Sequence, residues 1–134
     1  MQIRRILMIL SFLLTGLFTA CGSDARLGAM RFAAGVDDQG RPVAETAVFR
    51  PGETVYLSIE LKGAYKGLES KAAWKHGDET LATQTAATSR AARTLDPVFI
   101  VFRLETRPDW PRGDYRCEVF VPDQGTTPLK FVLK

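Results

Sequence analysis

Val55, Leu57, Ile59 and Leu61 alternate residue by residue with Tyr56, Ser58, Glu60 and Lys62. A period of two sends successive side chains to opposite faces, so this run predicts a strand with one apolar and one largely wet face. Burying those four aliphatic side chains contributes about 1.5–3 kcal/mol each before chain entropy is charged. The same period returns after the turn at Arg112-Gly113, where Tyr115, Cys117, Val119 and Val121 share a face. A chain with two such runs, and no amphipathic helical stretch to match them, is constrained towards stacked antiparallel sheets.

The remaining segments extend that pattern. Met30, Phe32, Ala34 and Val36 alternate up to the turn composition Asp37-Asp38-Gln39-Gly40-Arg41-Pro42. Val43 to Phe49 reads as one short edge strand, and Pro51-Gly52 breaks it. Leu68, Ser70, Ala72 and Trp74 share a face, placing Trp74 in the core. Thr80 to Thr94 is rich in Ala, Thr, Ser and Gln and reads as a short edge strand followed by a mobile connection, with a helical turn over 86–92 as the alternative. Val98 to Leu104 is apolar at nearly every position, as expected of a strand covered on both faces or contacting a partner. A loop at 122–128 and the alternation of Leu129, Phe131 and Leu133 close the chain.

The N-terminus carries a different signal. Arg4 and Arg5 precede an apolar stretch from Ile6 to Phe18, too short for a comfortable membrane span, which then runs into Leu17-Phe18-Thr19-Ala20-Cys21. Basic residues, apolar stretch, small residues and cysteine in that order resemble the signal peptide and lipobox of bacterial lipoproteins, with Phe18 where the family usually has an aliphatic residue. The resemblance implies that a signal helix over 1–20 is removed and that Cys21 carries a diacylglycerol and an acyl chain. Residues 21–26 become a short tether, and the folded domain spans 27–134. Gly22, rather than Asp, after the cysteine implies the outer membrane of the bacterial envelope as the destination.

About seven strand-like runs separated by turns fit an all-β, antiparallel immunoglobulin-like sandwich. The resemblance to that family rests on Trp74 in mid-chain and on Tyr115, which lies just after a turn and two positions before Cys117. It implies a tyrosine corner, in which the Tyr115 hydroxyl bonds a backbone group a few residues upstream. With Cys21 acylated, Cys117 is expected to be a free thiol on the buried face.

Candidate chemistry is sparse. His76 is the one histidine, in a His-x-Asp-Glu turn that reads as a solvated turn; neither a metal site nor a catalytic site is expected. Asp37-Asp38 lacks the ligand spacing of a calcium loop. Removing Arg4 and Arg5 leaves basic and acidic residues nearly balanced, and Arg103, Arg107, Arg112 and Arg116 interleave with acids, so no nucleic-acid partner is expected. The remaining signal is apolar residues directed outwards: Tyr56, Phe99, Val101 and Phe120 on strands, Trp110 and Tyr65 on loops. They point to a protein-binding or accessory envelope module. The alternative is a carrier of a small apolar ligand in a cleft between the sheets, with a hydrolase as the third reading.

Overall fold

The computed structural model describes residues 26–64, 66–92 and 96–134. These form β1 (Arg26–Val36), β2 (Pro42–Glu45), β3 (Val48–Phe49), β4 (Thr54–Lys62), β5 (Glu69–His76), β6 (Glu79–Ala87), β7 (Val98–Glu105), β8 (Gly113–Val121) and β9 (Gly125–Leu133). A four-stranded sheet has the order β2-β1-β4-β7 and a five-stranded sheet the order β3-β9-β8-β5-β6. The fold is all-β, with no helix among the described residues. The signal helix, the lipidation position Cys21 and the loop residue Tyr65 lie outside the described residues.

The alternation read in the sequence fills the space between the sheets. Val55, Leu57, Ile59 and Leu61 of β4 are fully buried, and from the opposite sheet Cys117, Val119 and Val121 of β8 and Trp74 of β5 meet them. Phe131 of β9 lies within ring contact of Phe32, Phe49, Trp74 and Tyr115, at centroid distances of 5.2, 6.1, 5.9 and 5.5 Å. A single ring thus touches aromatics from four other strands.

Two segments depart from expectation. Val43 to Phe49 is not one strand: β2 pairs antiparallel with β1, whereas β3 pairs parallel with β9 in the other sheet. The chain changes layer at Thr46, whose hydroxyl accepts from Val48 N at 3.1 Å and donates to Val48 O at 3.0 Å. A side chain closing its own backbone in this way ends a ladder. The stretch from Thr80 also differs, because β6 is a nine-residue strand without a helical turn over 86–92. Its Ala and Thr side chains bury little, yet β6 pairs with β5 from His76↔Glu79 to Glu69↔Ala87. Ladder hydrogen bonds make up for the scarce hydrophobic side chains.

Gln84 gives β6 a second tie. Its Oε1 accepts from Trp74 Nε1 at 3.1 Å and its Nε2 donates to Arg103 O of β7 at 2.6 Å. One side chain satisfies the buried indole and links the two sheets. Gln84→Ala leaves both groups bare, with an expected loss of about 1–3 kcal/mol in a urea unfolding curve.

Candidate interaction surface

β8 exposes on its outer face the side chains that its inward alternation leaves behind. Phe120 lies opposite Lys71 of β5 and Thr126 of β9, and at 43 % it is the exposed member of the predicted contact residues. Two rows along the same face, beyond Glu118, Lys75, Arg116 and Lys130 lie side by side. Like charges across strands repel. Glu118 offsets them, with Oε2 3.1 Å from Lys75 Nζ and Oε1 3.1 Å from Arg116 Nε. The Arg116 and Lys75 hydrogen bonds hold the Glu118 carboxyl below its ordinary range. Arg116 also donates to Gly77 O at 2.5 Å, which fixes the β5–β6 turn beneath it. The result is a sheet face with an exposed aromatic ring, Lys71 beside it, and an ion cluster farther along.

The outer face of the four-stranded sheet has a different cover. Asp37 Oδ1 accepts from Gln39 N and Arg41 N, both at 2.9 Å, so this carboxylate closes the β1–β2 turn. The turn folds over the sheet: Ser58 donates to Gly40 O at 2.6 Å. A Cβ on Gly40 would lie 2.9 Å from Val101 Cγ2, and its φ of 88° suits glycine. Phe99 and Val101 are therefore half-buried beneath their own chain, with the Arg41 guanidinium 5.7 Å from the Phe99 ring centroid. Beside the turn a cavity of about 330 Å³ is lined by Arg31, Arg41, Glu45, Ser58, Glu60 and Phe99. Tyr56 is half-buried on the same face.

Trp110 is also half-buried, stacked on Tyr115 at 6.2 Å and 11°. The ring of His76 stacks on Tyr115 at 4.3 Å and 15°. Tyr115 is itself buried and donates its hydroxyl to Pro111 O at 2.5 Å, four residues upstream. Burial, reinforced by Glu79, raises the Tyr115 phenol above its ordinary value. Cys117 is fully buried and unpaired, and burial with a smaller contribution from Glu118 pushes its thiol up to about 12. No group of three or more metal-ligating side chains occurs among the described residues.

No protein-family model and no curated protein matches the chain. Among solved structures it is similar to the Pseudomonas fluorescens alkylpurine DNA glycosylase AlkC bound to DNA containing an abasic site analogue. That likeness has a TM-score of 0.49 and 15 % identity, and covers 84 % of this chain and 31 % of the glycosylase. It is also similar to a β-glucosidase from Listeria innocua in complex with glucose, at a TM-score of 0.46 and 9 % identity, over 82 % of this chain and 16 % of that one. The chain thus spans less than a third of either protein.

Sequence patterning places Phe120 outward, but it gives no sign of the Lys75–Glu118–Arg116 cluster, since only the β5–β8 register brings Lys75 beside β8. Nor does it single out Val43 and Val48, which are 52 % and 45 % exposed at the crossing between layers.

Tyr115→Phe removes the corner hydrogen bond and is expected to cost about 0.5–1.5 kcal/mol, read from the urea midpoint. Cys117 sets an alkaline limit. Its folded pKa lies above the ordinary 9.0, so the contribution is complete below about pH 9 and is lost as pH rises towards 12. Between those values the native protein should lose stability faster than Cys117→Ala, by at most about 1.4 kcal/mol per pH unit.

Proposed function

We propose that this protein is a lipid-anchored module of the bacterial outer membrane, built as an immunoglobulin-like sandwich, whose exposed β8–β5 face binds an envelope protein. The signal stretch ending in Cys21 supports the anchor: the cysteine carries the diacylglycerol and acyl chain and becomes the first mature residue. More than one acyl chain makes such an anchor lasting.

Two features support the finer fold. Tyr115 and Pro111 form the backbone-locking pair of a tyrosine corner, and Trp74 lies directly opposite Cys117 in the register of β5 and β8. The connections β4–β5, β6–β7 and β7–β8 each change sheet, while β5–β6 and β8–β9 are hairpins. This connectivity supports the Greek-key sandwich reading.

The binding role rests on Phe120. A large aromatic side chain 43 % exposed on a central strand, near the β8–β9 hairpin and beside Lys71, is a contact site that costs little conformational entropy to order. Two measurements check the proposal. Cys21→Ser should abolish labelling by a fatty-acid analogue in growing cells, and labelling that persists refutes the anchor. Phe120→Ser should keep the wild-type unfolding midpoint within about 0.5 kcal/mol. It should also lose the envelope protein that the membrane-anchored wild type retains on affinity capture. Equal retention by both refutes the face.

A further inference from the structure

Every sheet edge exposes unpaired backbone groups, and folded proteins block them with short strands, bulges, proline or charge. Most edges of this protein carry at least one such device. β2 has four residues, with Ala44 at a φ of 56°, and β3 has two. Where β1 extends beyond β2 its register shifts between Leu27 and Met30. On β9, the bonds from Val132 N to Ala47 O and Lys134 N to Phe49 O show that even-numbered amides face outwards. Pro128 therefore removes an outward donor. On β7, Gln84 takes the outward carbonyl of Arg103, and just before the strand Arg90 takes the carbonyls of Asp96 and Pro97.

Beyond Leu81, the described residues of β6 show none of these devices. After the register shift at Leu81, Ala82 to Ala87 pair residue for residue with β5. The parity is fixed at its end: Thr88 N donates to Leu68 O, and Thr88 O accepts from Gly67 N. Even-numbered residues of β6 therefore face β5, and Thr83, Thr85 and Ala87 turn their N–H and C=O groups to the open edge. From Leu81 to Thr88 the sequence Leu-Ala-Thr-Gln-Thr-Ala-Ala-Thr has no proline and no charge.

We infer that this edge pairs with the same edge of a second copy, antiparallel about a two-fold axis near Gln84, joining two five-stranded sheets into one. The occupant follows from the strand itself. A two-fold axis there places Thr83 opposite Thr85 of the second copy, so outward donors meet outward acceptors, and cross-strand threonine pairs are favourable. No like charges face each other across the axis, and the small Ala and Thr side chains supply no pockets that would select a foreign strand.

The test uses the full-length chain in the cells that make it, expressed with two different tags and a benzoylphenylalanine photo-crosslinker at position 83. Irradiation should give an adduct carrying both tags. Thr85→Pro should reduce it at least tenfold, because the Thr85 N–H faces away from β5 and its removal leaves the internal ladder intact. Thr85→Lys, which keeps the backbone donor and sets two lysines near the axis, should reduce it similarly. This second variant separates lost pairing from lost folding. Absence of a doubly tagged adduct, an adduct only with another protein, or an adduct that survives both substitutions overturns the inference.

Discussion

The Phe131 ring is the point through which the layers are joined. It lies on β9, faces Trp74 nearly edge-on at 77° and Phe49 at 88°, and packs against Phe32 from the opposite sheet. Edge-to-face contacts of this kind add direction to hydrophobic burial. They fix the short β3 and the long β1 relative to β8, which apolar area by itself would leave free to slide. Tyr115 extends the cluster outwards, with one side against Phe131 and other contacts to His76 and Trp110.

Burying that much aromatic surface places polar atoms in the interior, and their partners shape the periphery. The Trp74 indole needs an acceptor, and Gln84 supplies it while reaching across to Arg103 O. The Tyr115 hydroxyl finds Pro111 O and so holds the loop before β8. Ser70 Oγ is the buried side-chain atom without a partner among the described residues, on a strand otherwise well satisfied. Core packing and edge protection are thus linked, because the side chain that satisfies the core tryptophan also occupies the open carbonyl of β7.

The same scaffold divides its outer surfaces by cover. One face is overlaid by the chain's own β1–β2 turn, held by Ser58 and Gly40. The other remains open, with Phe120 and the Glu118 ion cluster.

The sequence by itself determined the all-β class, the inward faces of β4, β7 and β8, and the burial of Trp74, Tyr115 and Cys117, because strand alternation is a local property that side-chain polarity reports directly. The outward direction of Phe120 was legible for the same reason. Tertiary structure decided which outward residues stay exposed. Phe99 and Val101 have the same alternation signal as Phe120, but a turn some sixty residues earlier in the chain folds over them. Tertiary structure also made β6 a full strand, since its order comes from backbone pairing with β5 and from Gln84 rather than from side-chain hydrophobicity. It split Val43 to Phe49 between two sheets, because Thr46 closes its own backbone where the chain crosses from one layer to the other. Contacts between distant segments have no periodicity in a sequence; only the register of the folded sheets fixes them.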